Sequence, residues 1–375
     1  TVIPNMVLVL VLLVLFVMIT GVFFKEGDFE FYQEHKVWFG IFMVILFILT
    51  IGFVLQAWPV DGDVTLLEQM WDAIVSGSSG EVVGGVILVA FIIGAKASVF
   101  NIGIEGQLLL GALTSAVVGW AFDLPKAIHL PLTLLTGALA GGLYALIPAC
   151  LKIYRKVNEI LSTIMLNYPA FFFCHYIVLN VTPLEGVIPA TPFVKESAKF
   201  INLVPGTRLH AGVIVAIFVV IVAYILLQKT TLGYEMRAVG LNQEAARFHG
   251  IPVEKRMMLA FFLSGCLAGL AGAVEMAGVH YRYLDQFSPG YGYDSITVAM
   301  VGLLNPFGAI FSAILFGALK TGILDMAVYT EIPRQLVTLI NGIVVLLISM
   351  KGILQEKLNQ LTKGKESVSQ KEEVA

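Results

Sequence analysis

Phe100-Asn101-Ile102-Gly103-Ile104-Glu105-Gly106-Gln107 splits a long apolar run in two. The residues before it, 82–99, and after it, 104–122, are apolar enough to be helices in lipid. Between them two glycines flank a carboxylate and an amide. An interrupted helix bares backbone donors and acceptors, which at membrane depth is tolerated only beside protein or a water-filled cavity. Asn101, Glu105 and Gln107, with Phe100 at the edge, are then placed to hydrogen-bond a polar solute. A membrane carboxylate is costly and marks a functional site by default. The competing reading puts Glu105 near the interface, where it only caps or pairs, with Lys96 as its partner.

The rest of the chain has the composition this reading needs. Of 375 residues, 58% are hydrophobic and 13% charged, against about 25% charged in soluble domains. Mean hydropathy is +0.88. Such a chain cannot cover itself with polar groups, so its solvent is largely lipid. The net charge of -3 points to no nucleic acid. Cys150, Cys174 and Cys266 lie in apolar runs and read as small core residues. His175 and His249 lack companion ligands, so no metal site is expected. No Ser/His/Asp or Cys/His set falls at a credible site, so the chain is not expected to be an enzyme.

A hydrocarbon core about 30 Å thick takes roughly 20 helical residues to cross. Eleven segments qualify: 2–24, 37–58, 82–99, 104–122, 129–151, 160–181, 210–228, 257–278, 293–304, 306–324 and 332–350. They do not alternate apolar with polar, as barrel strands do. The fold class is therefore all-α, a polytopic transmembrane bundle of about 10–11 helices with short or broken members. Segment 2–24 is too long for a signal core and reads as a spanning or anchor helix. The chain divides into 1–36, an extra N-terminal helix and loop; 37–350, the membrane core; and 351–375, a charged tail.

Lys and Arg in short loops set orientation. Loop 152–159 holds Lys152, Arg155 and Lys156; 229–256 holds Lys229, Arg237, Arg247, Lys255 and Arg256; the tail holds five lysines. All three belong on the cytoplasmic side. Segment 59–81 has acids but no Lys or Arg and belongs outside, as does 280–294. Loop 25–36 must then be cytoplasmic despite four acids, which weigh little in this rule.

NIGIEGQLLLGAL (101–113) is echoed by NPFGAIFSAILFGAL (305–319), each opening an apolar run after a break. Paired, glycine-interrupted segments point to a transporter's binding region, although small residues also serve plain helix packing. The echo adds Asn305 to the candidates. Asn167 and Tyr168 precede Pro169, which should kink segment 160–181; they line a pathway, or pack with Tyr168 at the interface. The tyrosines of 280–294 read better as an interfacial belt than as a base-stacking surface. The stretch TLGYEMRAVGLNQEAARFHGI (231–251) is long for a connector. Residues 242–249 form a short helix capped by Asn242 and ended by Gly250, which presents Ala245, Ala246 and Phe248 to a partner groove.

FNIGIEGQLLLGAL (100–113), LSTIMLNY (161–168), TLGYEMRAVGLNQEAARFHGI (231–251) and NPFGAIFSAILFGALKTG (305–322) together resemble one family. It is the permease family of ATP-binding-cassette importers for branched-chain amino acids, ribose-type sugars and nucleosides, and the wording is most like its nucleoside branch. The resemblance covers roughly 37–350, and the helix at 2–24 departs from the usual core. It implies a cytoplasmic ATPase that binds a coupling element carrying Gly233, Arg237, Gly240, Asn242, Glu244, Ala245, Ala246 and Gly250. It also implies an extracellular or periplasmic solute-binding protein, a second related permease, and residence in the bacterial cytoplasmic membrane with a cytoplasmic C-terminus. No cofactor is expected in this chain. ATP and Mg²⁺ would sit on the ATPase, in keeping with the lack of a GxxxxGK[ST] loop here. A sugar or amino-acid importer and an ion-coupled secondary transporter are the alternatives; few intramembrane acids are available to carry protons for the last.

Overall fold

A backbone in hydrocarbon must bond to itself, and this one does so as helix. The computed structural model describes residues 85–182, 188–203, 210–306, 308–310, 312–313, 316–317 and 339. All but Leu339 fall within one compact unit, 72–321. Segments 2–24, 37–58 and 59–81, segment 332–350 apart from Leu339, the 1–36 region and the charged tail lie outside the described residues.

In chain order the helices are α1 Gly85–Lys96, α2 Ile104–Ala121, α3 Lys126–Arg155, α4 Glu159–Asn180, α5 Gly212–Lys229, α6 Thr231–Leu241, α7 Gln243–Phe248, α8 Val253–Glu275 and α9 Tyr291–Val301. A π turn, Met276–His280, prolongs α8. Among the described residues there is no strand, only the isolated bridges Ala190–Leu284 and Asn202–His210. Among the described residues five helices, α2 to α5 and α8 with its π turn, are long and apolar enough to cross a membrane. The chain is a multi-pass helical membrane protein.

Three elements differ from the sequence expectation. α3 has 30 residues and runs well past 129–151, through Pro131 and Pro148. α9 has 11 residues, about 16 Å at 1.5 Å per residue, so 293–304 is half a crossing and not a whole one. The connector after α5 contains a further helix, α6, whose start is fixed by the Thr230 hydroxyl accepting from the Gly233 N–H at 3.1 Å. α4 runs as one helix through Pro169. Pro169 has no N–H to give Met165, and the neighbouring Leu166 carbonyl accepts from the Tyr144 hydroxyl at 2.7 Å.

The core is a seam of glycines where α2, α3 and α8 meet. A Cβ on Gly137 would lie 2.7 Å from the Ala273 Cβ and 2.9 Å from the Gly111 carbonyl; one on Gly141 would lie 2.8 Å from the Gly269 Cα. Lipid gives helices no hydrophobic reason to associate, so close backbone approach must supply the packing.

The ends of the bundle differ in charge. One gathers 96–99, 152–159 and 229–256, with nine Lys and Arg against four Glu. Lys152 ties this end together, reaching the Ser98 carbonyl at 3.3 Å and Glu159 at 2.6 Å. At the other end, residues 191–200 lie over α8's end and the strap that follows it. Thr191 N–H donates to the Tyr283 carbonyl at 2.9 Å, Val194 N–H to Tyr281 at 2.8 Å and Phe200 N–H to Ala277 at 2.9 Å. The Glu196 carboxyl there is held below its ordinary value by Lys199, which bonds it at 2.6 Å. His210 stacks on Phe200 at 5.6 Å, and burial holds its imidazole below the ordinary value.

Gly269→Leu should break the seam, since overpacking a tight core costs about 1–3 kcal/mol. The readout is a lower thermal midpoint by size-exclusion after heating, with exposed Ile217→Leu unchanged. An undiminished midpoint would mean the seam has slack.

Candidate solute site and coupling element

The break between α1 and α2 is shaped by backbone first. α1 closes with the Val99 N–H donating to the Gly94 carbonyl at 3.0 Å, and Ser98 takes a left-handed conformation, φ 56°. The echoed break closes alike: Leu304 N–H donates to the Ala299 carbonyl at 3.0 Å, with Leu303 and Leu304 left-handed.

Asn101 is fully buried and spends its whole amide on the fold. Its Nδ2 donates to Gln107 Oε1 at 2.8 Å and to Ser264 Oγ at 2.9 Å. Its Oδ1 accepts from Gly103 N–H and from Gln107 Nε2, both at 3.1 Å. Asn101 and Gln107 thus form a reciprocal amide pair anchored to α8. They are struts at the site; the amide of Asn101 has no capacity left for a solute in this conformation.

Glu105 is also buried, and it serves a different helix. Its Oε2 accepts from the Gly292 N–H at 2.6 Å and its Oε1 from the Ser288 hydroxyl. The carboxylate therefore sits at the N-terminus of α9, where the helix dipole favours negative charge. Gly292 is pressed so close that a Cβ there would lie 2.7 Å from the Glu105 nitrogen. Asn167 closes the ring: its Oδ1 accepts from Gly106 N–H at 2.9 Å, and its Nδ2 donates to the Ile102 carbonyl at 3.2 Å and to the Tyr293 hydroxyl at 2.9 Å.

Glu105 thus caps the start of α9, and Ser264 and Asn167 of the same cluster lie well inside α8 and α4, away from either end. The break, α4, α8 and the start of α9 converge on one buried polar cluster. Ser264, Ser288, Gly292 and Tyr293 belong to it and were not singled out for it in sequence. The turn signature Ser288-Pro289-Gly290 is the one local hint that a new helix starts there.

Three candidates stand apart. Tyr168 is 64% exposed and faces out of the cluster. Asn305 lies beyond the far end of α9, exposed, its carbonyl accepting from Ala309 N–H at 2.9 Å. Phe100 is half-exposed and packs on Phe91 at 6.3 Å.

The coupling stretch folds as read at its cap. Asn242 Oδ1 accepts from Glu244 and Ala245 N–H at 3.0 Å each, and Gly250 ends α7 with φ 78°. One assignment is reversed: Ala246 is 4% exposed and faces inward, not toward a partner. It joins Met236, Val239, Val253, Met257, Phe261, Ala149, Ala97 and Val99 in one apolar cluster. A six-residue helix has only one buried residue, and the Ala246 side is the one the fold takes. Gly233 and Gly240 also face inward, seating α6 on the Leu226 and Lys96 carbonyls. Arg237 Nη1 donates to Gln228 Oε1 at 2.9 Å. What faces out is Glu244, Ala245, Leu241 at 90% and Phe248 at 92% exposure.

The permease component of branched-chain amino acid transport systems matches residues 82–349 as a family. The chain is 38% identical over 278 residues to the guanosine ABC transporter permease NupP of Bacillus subtilis, covering 72% of this chain and 78% of that one. It is 31% identical over 295 residues to the nucleoside ABC transporter permease NupB of Lactococcus lactis, covering 75% and 81%. It is 35% identical over 267 residues to the glucose ABC transporter permease TsgB13 of Haloferax volcanii, covering 67% and 69%. No solved structure matches the chain.

Asn101→Ala should strip partners from Gln107, Ser264 and the Gly103 N–H, at about 1–3 kcal/mol for each group left buried and unpaired. The expected result is a lower thermal midpoint than for Ser264→Ala, which removes one contact. Equal midpoints for Asn101→Ala and wild type would show that the amide is idle.

Proposed function

The chain belongs to the permease family of branched-chain amino acid transport systems, and from that membership we propose that it is the subunit through which an ATP-binding-cassette importer admits nucleosides. The observation that carries the substrate is similarity over 72% and 75% of the chain to permeases named for guanosine and for nucleosides. The cluster chemistry is compatible with it: the one carboxylate is already engaged by α9, which leaves no free charge there to demand a charged solute. The similarity to a glucose permease favours a second reading, a sugar.

In this reading the basic end faces the cytoplasm, as Lys and Arg in short loops require, and so does the C-terminus. The membrane is the bacterial inner membrane. ATPase subunits grip the exposed side of α7, with Phe248 and Leu241 as apolar anchors and Glu244 beside them. ATP and Mg²⁺ stay on those subunits. A binding protein delivers the solute at the opposite end, and a second related permease completes the pathway.

The inward side of the same helices carries the motion. Ala246, Met236 and Val239 pack in one cluster with Val99, two residues before Asn101, and with Phe261, three before Ser264. A push on α7 thus reaches both ends of the Asn101–Ser264 bond without crossing a flexible linker. Closure of the ATPases switches the site from one side to the other provided they bind one permease conformation better.

Two experiments test this. Proteoliposomes holding the assembled importer should take up labelled guanosine with ATP, and unlabelled adenosine or uridine should compete while ribose, glucose and leucine do not. Competition by glucose alone would replace the nucleoside reading with the sugar one. Phe248→Asp should cut ATP-driven uptake tenfold or more with insertion intact; full uptake would remove α7 from the coupling role. Ion-gradient uptake by this chain alone would overturn the ATP-driven reading.

A further inference from the structure

Three of the cations at the basic end are neutralised within the chain: Lys152 by Glu159, Arg256 by Glu235 and Arg247 by Glu254. Lys96 and Arg237 are not; among the described residues neither has a carboxylate partner. Both are half-buried, and the Arg237 charge lies close enough to act on the Lys96 ammonium. Gly240, one turn on from Arg237, seats α6 directly on the Lys96 carbonyl, so the two residues flank one backbone contact. Lys96 gains something from the C-terminus of α1. Arg237, in the middle of α6, has no such offset, and its buried Nε has no hydrogen-bond partner among the described residues. Two like charges held partly out of water repel unless an anion joins them.

Position says which anion. Gln228, the partner of the guanidinium among the described residues, continues the stripe Ile214, Ile217, Ile221 and Ile225 at helical spacing, and all four are exposed. An exposed isoleucine stripe on a helix apolar enough to cross a membrane suits hydrocarbon, and Gln228 stands at its foot. Arg237 is therefore pinned at the level of the lipid headgroups, with Lys229 and Tyr234 exposed beside it. Basic pockets between helices on the cytoplasmic side are where acidic headgroups bind. We propose that Lys96 and Arg237 hold the phosphate of an acidic phospholipid, such as phosphatidylglycerol, in the leaflet at the basic end. The assignment rests on membrane orientation and stands whether the cargo is a nucleoside or a sugar.

The test is native mass spectrometry of the assembled importer, purified with equal phosphatidylglycerol and phosphatidylcholine. Wild type should retain the acidic lipid about tenfold over the zwitterionic one. Lys96→Gln and Arg237→Gln should each remove most of that preference, Arg237→Lys should restore it, and exposed Lys255→Gln should leave it unchanged. Lys96→Gln carries the test if Arg237→Gln fails to assemble. Equal retention of the two lipids by wild type would overturn the proposal. So would displacement of the acidic lipid by millimolar inorganic phosphate, which would mark a soluble-anion site. Loss of the ATPase from Arg237→Gln with lipid retention intact would assign the pair to a protein carboxylate instead.

Discussion

A helix that stops inside hydrocarbon must find its missing hydrogen bonds in other helices. The α1–α2 break meets that demand with three side chains. Asn101 ties it to α8, Asn167 ties it to α4, and Glu105 ties it to α9. Everything else about the site follows from this suture. It fixes where α9 begins, it holds four elements at one depth, and it makes the polar cluster a joint of the fold before it is anything to a solute.

The glycine seam and the apolar cluster divide the mechanical labour. Along the seam, α2, α3 and α8 touch backbone to backbone, which leaves little side chain to deform between them. At the basic end, α6 and α7 are fastened to the same body through Met236, Val239 and Ala246. In the proposed coupling role, a displacement of α7 would act on this packed cluster directly, because packed cores are bistable and not continuously deformable.

Sequence carried the break, most helix limits within a few residues, and the Asn242 cap, because each is written locally: an apolar run, a glycine pair, a capping residue. It did not carry contacts made across the fold. Ser264 is one hydroxyl in the run Phe261-Phe262-Leu263-Ser264, and only its partner 163 residues away gives it a role. Tyr293 has the look of an interfacial aromatic until Asn167 is found on its hydroxyl. Hydropathy counts apolar residues but cannot tell that α9 starts within the bundle and so need not be long. Ala245 and Ala246 are the same residue type side by side, and only packing decides which one is hidden.

The pairing of Glu105 with the N-terminus of α9 has a consequence for what the membrane loses while cargo passes. A bare carboxylate in a polar channel would draw cations and hand protons along. One already answered by a helix dipole and two donors has less charge to offer either. A solute route beside it, as proposed, would then admit an uncharged molecule with little leak of H⁺ or Na⁺, and uptake need not short-circuit the cell's ion gradients.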